Sequence, residues 1–273
     1  MRSAAQLAHD LAMERGEPHY RDPDTGYRVF TAATLLGRGK CCGCGCRHCP
    51  WAHEAIPLDV RAQRIVVPSF LHGRSPAEPA RVLFWSGGKD SYLALRAMAK
   101  KGTAGIVLLT TFSLPTRIVA HQEIAIGAVV DQAEALRLPL IGVPLPPESP
   151  YVERLTQGLD LLPNIASLAF GDLHLESIRG WRESAMADVV KARGAELAFP
   201  LWRVGYDQLL DDWEASGAVA EVCAVPEPER IAPCGLGARF DRAFVERLPD
   251  SVDAFGENGE FHSYVRPETL GPF

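Results

Sequence analysis

The hexapeptide Ser86–Ser91, Ser-Gly-Gly-Lys-Asp-Ser, joins an apolar run to a segment with helical periodicity. The adjacent glycines Gly87 and Gly88 let the backbone turn tightly, so that its N–H groups can approach phosphate oxygens. The N-terminus of the following helix adds partial positive charge at the same point, and Lys89 adds a full charge. This combination predicts a phosphate-binding loop.

Polar side chains within this loop suit the rest of a nucleotide. The hydroxyls of Ser86 and Ser91 can bind phosphate, and Asp90 can hold the Mg²⁺ that accompanies ATP. The loop is not a Walker A motif, because Leu83 occupies the place of its first glycine and Asp90 follows the lysine. We therefore predict ATP binding by a different strand–loop–helix pocket, whose candidate catalytic residues are Lys89, Asp90 and Asp172.

Two acidic residues, Asp172 and Glu176, follow a later apolar run at residues 167–170. If that run is a strand parallel to the one before the glycine loop, both carboxylates project into the same cleft. A carboxylate there can ligate Mg²⁺ or orient a nucleophile. Acidic residues also favour helix N-termini for dipole reasons, and this alternative stays open.

Near the end of the chain, residues 255–263 read Phe-Gly-Glu-Asn-Gly-Glu-Phe-His-Ser. A loop of this composition can present several polar groups to a ligand at close range. The same residue types also favour a tight turn, which would be followed by an edge strand at residues 261–265. Glu176 is a candidate substrate contact, and for Glu257, Asn258, Glu260 and His262 that role is what the family resemblance described below implies.

Five of the seven cysteines lie in one nine-residue stretch, at Cys41, Cys42, Cys44, Cys46 and Cys49. Clustering of this kind favours a metal or redox site over a disulfide framework. Thiolates at Cys42, Cys44, Cys46 and Cys49 can bind Zn²⁺ or an iron–sulfur cluster. The spacing lacks a second CxxC half-site, so a redox role or unliganded cysteines remain alternatives.

The elements that must position these residues fall into two regions. Residues 1–55 form a cysteine-rich module and residues 56–80, rich in proline, form a linker. Residues 81–273 alternate strand and helix signals, which predicts a doubly wound, mostly parallel α/β sheet. The predicted strands are residues 82–85, 105–111, 140–143, 167–170 and 196–199; the predicted helices are residues 90–101, 124–137, 151–162, 176–193 and 206–216.

Composition limits the function classes. The formal net charge of −6 argues against nonspecific nucleic-acid binding. No segment approaches the roughly 20 apolar residues of a membrane span, and residues 1–10 do not form a secretory signal. We expect a cytoplasmic protein without a membrane partner, and a homodimer is one form that the sequence allows.

The glycine loop resembles the signature of the PP-loop ATP pyrophosphatases, also called adenine nucleotide α-hydrolases. Over residues 81–267 the chain is similar to the diphthine–ammonia ligase family within that group. The similarity rests on the glycine loop, residues 117–140, Gly171-Asp172 with residues 181–183, residues 199–202 and residues 256–262. It implies a HUP-type fold, cleavage of ATP between its α- and β-phosphates, adenylation of a carboxylate, and displacement of AMP by ammonia.

The resemblance also implies where ATP lies. Adenine would cover the end of the second strand, where backbone groups at Thr110 and Thr111 read its edge and Phe112 covers its face. The last motif departs from the ligases proper, because Asn258 splits its paired glycines and His262 replaces the final acid. This form is seen in bacterial relatives, and bacteria do not make diphthamide, so the resemblance supports the ATP chemistry more than the substrate.

Residues 22–50 resemble a small cysteine-rich domain family of unknown function. The leading hypothesis for the whole chain is an AMP-forming carbon–nitrogen ligase acting on a small molecule or a modified side chain. The alternative is a PP-loop enzyme that thiolates tRNA with the help of the cysteines, and this is the case in which nucleic acid would be a partner. A nucleotide sensor without turnover is the third hypothesis.

Overall fold

The computed structural model describes residues 4–23, 26–51, 53–57, 65–231 and 234–273. The strands are β1 His19–Arg21, β2 Arg28–Phe30, β3 Ser69–His72, β4 Ala80–Phe84, β5 Ile106–Ser113, β6 Ile118–Val119, β7 Ile124–Ala125, β8 Leu140–Leu145, β9 Ile165–Ala169, β10 Glu196–Ala198, β11 Ala220–Ala224 and β12 His262–Val265. The α-helices are α1 Ala4–Glu14, α2 Ala32–Leu36, α3 Lys89–Ala99, α4 Ile126–Leu136, α5 Tyr151–Leu159, α6 Glu176–Arg193, α7 Tyr206–Ser216 and α8 Arg242–Val245.

A six-stranded sheet with the order β10-β9-β4-β5-β8-β3 forms the centre of the α/β region. All neighbouring strands run parallel except β3, which is antiparallel to β8. The strands are continuous apolar runs because both faces of the sheet are covered. Residues of α3, α4 and α7 pack on one face, and residues of α5 and α6 pack on the other. The predicted doubly wound α/β fold is confirmed.

The chain reverses its direction across the sheet beside β4. Strands β5 and β8 lie on one side of β4, and β9 and β10 lie on the other. Ligands of doubly wound sheets bind at such a switch point, outside the carboxyl ends of the strands. The topology therefore predicts a ligand-binding site at the loop that follows β4.

Part of the predicted linker belongs to the sheet. Residues 69–72 form β3, in which Ser69 pairs with Gly142 and Phe70 with Ile141 of β8. Leu71 is fully buried there, and a Cβ at Gly142 would lie 2.4 Å from its Cδ1 atom. The flanking proline and glycine obscured this short edge strand in the sequence. The linker residues 58–64 lie outside the described residues.

Two helix boundaries differ from the sequence prediction in an informative way. Residues 124–125, predicted as the start of a helix, form β7 and pair with β6. The helix then begins at Ile126 and ends where Arg137 takes a left-handed conformation with φ 55°. The helices at residues 176–193 and 206–216 have the predicted bounds.

The N-terminal module consists of α1, the hairpin of β1 and β2, α2, and the cysteine loop. Its small apolar interior includes Ala12, Tyr20, Leu35 and Ile56. The described part of the chain contains no helix long and apolar enough to span a membrane. Residues 1–3, 24–25 and 52 of the predicted module lie outside the described residues.

Candidate functional site

The glycine loop lies at the sheet's switch point, between the end of β4 and the start of α3. Gly87 has φ +83°, and a Cβ there would lie 2.9 Å from Gln132 Oε1. A Cβ at Gly88 would lie 2.9 Å from the backbone oxygen of Ser263. Both positions therefore require glycine, one for its conformation and both for the close approach of neighbouring atoms. The predicted strand–loop–helix arrangement is confirmed.

The two loop serines hold the turn itself. Ser86 Oγ accepts a hydrogen bond from Gly88 N at 3.3 Å, and Ser91 Oγ donates to Gly88 O at 2.8 Å. Gly88 is the N-cap of α3 and has no side chain with which to cap the helix. Ser263 Oγ instead accepts from Lys89 N at 3.1 Å, so a phosphate would be bound by the next N–H groups of the first turn, those of Asp90 and Ser91. Direct contacts between the serine hydroxyls and phosphate stay a prediction.

The buried side chain of Gln132, in α4, holds the glycine loop in place through hydrogen bonds. Trp85 Nε1 donates to Gln132 Oε1 at 2.9 Å, and Gln132 Nε2 donates to Gly87 O at 2.9 Å and to Val265 O at 2.6 Å. Val265 N also donates to Gly87 O at 2.9 Å. Strand β12 is thereby tied to the loop. Sequence reasoning missed this residue, whose only signal was an amide among apolar helix positions.

Lys89 does not face a phosphate in the way that the sequence suggested. Its side chain is 2% exposed, and Nζ donates to Phe255 O at 2.6 Å and to Asp90 Oδ2 at 2.9 Å. The ammonium also lies 5.2–5.3 Å from three aromatic ring centroids, those of Phe240, Phe255 and Phe261. Aromatic faces and a carboxylate stabilise a buried cation. The predicted direct contact with phosphate is therefore corrected, and Lys89 anchors the C-terminal region to the loop.

Asp90 has the free coordination capacity that a cation requires. Its Oδ1 atom is buried and has no hydrogen-bond partner among the described residues, while Oδ2 accepts from Lys89. Burial raises the pKa of Asp90, and the nearby Lys89 ammonium opposes that rise. An unpartnered buried carboxylate oxygen is costly unless a ligand or ion completes it. The residue fits the predicted Mg²⁺ site.

Glu257, from the C-terminal motif, joins this site. Its Oε2 accepts from Leu173 N at 3.3 Å. Burial, and then repulsion from Asp90 and Asp172, raise the pKa of Glu257 to about 7, although the Leu173 hydrogen bond and Lys89 oppose the rise. The fold thus brings together carboxylates from three distant segments. Such shifted groups cluster at functional sites.

Asp172 lies beside the glycine loop because the preceding residue, Gly171, packs directly against the backbone of Asp90. A Cβ at Gly171 would lie 3.0 Å from Asp90 O. Asp172 Oδ2 accepts from Arg182 Nε of α6 at 3.3 Å, which fixes the carboxylate. Among the described residues, no group of three or more His, Cys, Asp or Glu side chains is placed to hold a metal ion. Mg²⁺ commonly binds through one or two carboxylates plus substrate phosphates, so a complete protein cage is not required.

Glu260 is a structural anchor and not an available substrate contact. Its side chain is fully buried and accepts hydrogen bonds from Asp253 N at 3.1 Å and from Asn258 N at 3.1 Å. Asn258 Nδ2 also donates to it at 3.2 Å. The Asn258 amide is therefore engaged within the loop as well. Turn geometry, one of the two sequence interpretations, explains these residues.

Two further predicted substrate contacts, Glu176 and His262, lie apart from the carboxylates around Asp90. Glu176 is exposed and pairs with Arg203, so it does not join the carboxylates around Asp90. His262 packs near His121, with ring centroids 5.5 Å apart. Burial, followed by repulsion from His121 and Lys89, lowers the pKa of His262 to about 4. Its imidazole is neutral at pH 7, and a substrate contact by His262 stays a prediction.

The predicted adenine position is only partly supported. Phe112 is 1% exposed and packs in the core, so its ring does not face a base. Successive side chains of a strand point to opposite faces, and Thr111 therefore projects to the side opposite Phe112, near Tyr151. Thr110 is buried, and its Oγ1 has no hydrogen-bond partner in the described part of the chain. Polar groups do lie at the end of β5, but the prediction that the Phe112 ring covers the face of adenine was wrong.

Tyr206 is a second residue that the sequence analysis missed. Its hydroxyl donates to Asp253 Oδ2 at 2.6 Å and lies 3.1 Å from His174 Nδ1. Its ring stacks on Phe255 at 4.8 Å between centroids. Burial and Asp253 raise the pKa of Tyr206, so the phenol stays protonated at neutral pH. A single tyrosine after a short strand carried no sequence signal.

Comparison with known proteins bears on this geometry. Residues 80–191 match the family model "Diphthamide synthase N-terminal domain". This match indicates a PP-loop domain of the ATP-using adenine nucleotide α-hydrolase type. Residues 8–55 match "Family of unknown function (DUF5522)", whose description names no activity.

A solved structure is also similar to the chain. It is described as a predicted subunit of tRNA methyltransferase from Methanocaldococcus jannaschii, at 16% sequence identity, and the alignment covers 71% of this chain and 97% of that one. The TM-score is 0.37. A likeness at this level supports no conclusion about the fold or function of this chain.

The sulfur atoms of the cysteine loop approach one another in pairs. Cys42 Sγ lies 3.4 Å from Cys46 Sγ, and Cys49 Sγ lies 3.9 Å from Cys41 Sγ. Cys44 Sγ is directed toward Cys42 O at 3.5 Å. No three of the described cysteines are placed to bind one ion. The predicted Zn²⁺ or iron–sulfur site at Cys42, Cys44, Cys46 and Cys49 is therefore not supported by this arrangement.

Proposed function

We propose that the chain is an ATP-dependent, AMP-forming carbon–nitrogen ligase. It adenylates a carboxylate or carbonyl group of a small molecule or a modified side chain, and ammonia or an amine then displaces AMP. The observation that carries the proposal is Asp90, which lies in the first turn of α3 at the switch point and has a buried carboxylate oxygen without a hydrogen-bond partner among the described residues. The match to the diphthamide synthase N-terminal domain supports it.

The loop binds the phosphates. Backbone N–H groups at the start of α3 and the helix dipole favour the negative charge that grows on departing pyrophosphate. Gly87 and Gly88 allow phosphate to approach the backbone, and Gln132 keeps the loop in this conformation. Bound Mg²⁺, held through Asp90, would neutralise charge on the leaving group.

Glu257 is suited to the second half-reaction. An attacking amine must lose a proton as it displaces AMP, and a base is most effective when its pKa lies near the working pH. The pKa of Glu257 is about 7, and Leu173 N holds its carboxylate near Asp90. We assign Glu257 as the acceptor of that proton.

The test compares Asp90→Asn with Asp212→Asn in the full chain. Pyrophosphate and AMP are measured after incubation with ATP, Mg²⁺, ammonium and a metabolite extract. Loss of charge at the metal and phosphate site should lower the rate by about 10²–10³-fold. Asp212 pairs with Arg96 at 3.0 Å away from the loop, so its variant should keep the wild-type rate. Equal rates for Asp90→Asn and wild type would refute the proposal.

A PP-loop enzyme that thiolates tRNA is the second candidate, and the closely spaced Cys42 and Cys46 sulfurs favour it. Thiolation requires RNA as the acceptor and a sulfur-carrying cysteine. AMP formation that persists after ribonuclease treatment and in Cys42→Ser would exclude this candidate. AMP formation that needs both RNA and Cys42 would select it over the ligase.

A further inference from the structure

The local fold of the cysteine loop presents two sulfur atoms to each other. Gly43 and Gly45 have φ values of 71° and 69°, which most other residues avoid. These two turns reverse the backbone between Cys42 and Cys46 and bring their sulfurs to 3.4 Å. A disulfide needs a sulfur separation of about 2.05 Å, so a small side-chain movement would close the bond.

The surrounding residues hold one end of this loop more firmly than the other. His53 Nε2 donates to Cys46 O at 2.8 Å, and Cys49 N donates to the same oxygen at 3.2 Å. Tyr20 and His48 hydrogen-bond at 2.8 Å on the adjoining side. Cys46 is partly buried within this framework, whereas Cys42 is exposed. An incoming reagent can therefore reach Cys42, and Cys46 lies behind it.

We propose that Cys42 and Cys46 form a reversible dithiol–disulfide site that exchanges with low-molecular-weight disulfides. The Cys42 thiolate attacks one sulfur of the external disulfide and releases the first thiolate, leaving a mixed disulfide on Cys42. The Cys46 thiol then gives up its proton and attacks Cys42 Sγ, which releases the second external thiolate. Two protein thiols become one disulfide, and the two electrons and two protons leave on the two external thiols.

Pairing of the sulfurs distinguishes this site from a metal site. A bound metal would gather three or four ligands about one point, at about 2.3 Å from zinc to each sulfur. Four of the five clustered cysteines instead form two close pairs, and Cys41 and Cys49 make the longer one, at 3.9 Å. The proposal concerns the module alone and does not depend on the ATP chemistry of the α/β region.

The test incubates the full-length protein, purified without oxygen, with increasing ratios of oxidised to reduced glutathione. Acid quenching, alkylation and peptide mapping by mass spectrometry identify each bond. The first product should be a Cys42–Cys46 disulfide, with the loss of two alkylatable thiols per chain. In Cys46→Ser the reaction should stop with glutathione on Cys42, and Cys223→Ser in the α/β region should behave as wild type.

Three results would overturn the proposal. One is a first disulfide that joins any other cysteines, and another is glutathione that stays attached to Cys42 in the wild-type protein. The third is stoichiometric zinc or iron in the purified protein that protects these cysteines from alkylation. The wild-type mapping is decisive without the variants, so a variant that fails to fold does not affect the outcome.

Discussion

The α/β region and the cysteine module position their reactive side chains in different ways. In the α/β region, Lys89 donates to Phe255 across 166 positions of sequence, and Glu257 approaches Leu173 across 84. In the module, all five clustered cysteines fall within nine residues, and glycine turns set their spacing. One site is assembled by topology and core packing, and the other by local backbone geometry.

This difference has a consequence for substitutions. A site built from distant segments is coupled to global stability, because the contacts that place its side chains also join the C-terminal region to the sheet. A site built from one loop can change without disturbing the rest of the chain.

Lys89→Met should have the largest effect. It removes a buried ammonium that pairs with Asp90 and three aromatic rings, and breaking a buried pair costs roughly 3–5 kcal/mol. The free energy of unfolding, measured by denaturant titration, should fall by about that amount. Lys100→Met is the control, because Lys100 is 67% exposed and its surface ion pair contributes at most about 1 kcal/mol. Equal losses in both variants would contradict the account of Lys89.

Gly87→Ala should follow. The new Cβ would meet Gln132 Oε1 at 2.9 Å in a backbone conformation with φ +83°, so the loop must shift. Displacement of the phosphate-binding backbone by about 1 Å lowers rates by about 10²-fold, which pyrophosphate release would measure. Gly43→Ala, at φ +71° in the module, should leave pyrophosphate release unchanged. Similar losses in both variants would show that the two regions act as one unit.

Glu257→Gln should alter the pH dependence of stability. Because the folded pKa of Glu257 is about 7, above its usual value of 4.5, the folded state keeps a proton that the unfolded state releases. Wild-type stability therefore falls as pH rises from 4.5 to 7, and the glutamine variant lacks this fall. Its stability relative to wild type should grow by about 1 kcal/mol across that window, after discounting for solvent screening. The exposed control Glu183→Gln should leave the slope unchanged, and a wild-type slope in Glu257→Gln would contradict the assignment.

Cys42→Ser should have the smallest effect on nucleotide chemistry. Exposed substitutions away from a site change free energies by under about 0.5 kcal/mol, so AMP formation should stay within about twofold of wild type. A tenfold or greater loss would mean that the module takes part in the reaction. That result would favour the thiolation hypothesis.

Sequence periodicity predicted the architecture of the α/β region well. The strands are buried on both faces and read as apolar runs, and α6 and α7 begin and end at the predicted residues. The glycine loop was recognisable because the close approach of neighbouring atoms demands glycine at residues 87 and 88, and a positive φ demands it at residue 87 as well. The prediction that residues following parallel strands share a cleft holds for Asp172, which lies next to the Gly171–Asp90 contact, but not for Glu176, which pairs with Arg203 at the surface.

Tertiary contacts decided what the sequence did not reveal. Nothing local to Lys89 indicates that three phenylalanines from residues 240–261 will surround its ammonium. Glu260 looked like a ligand contact, but its position in a tight turn directs its carboxylate to backbone N–H groups. The four-residue edge strand β3 was too short, and too close to proline and glycine, to stand out from a linker.

The central claim is that ATP is cleaved between its α- and β-phosphates. It is tested most directly by identifying the nucleotide products when the full chain is incubated with ATP, Mg²⁺, ammonium and a metabolite extract. The account predicts AMP and pyrophosphate in equal amounts, and their loss in Asp90→Asn but not in Asp212→Asn. Formation of ADP and inorganic phosphate instead would contradict it.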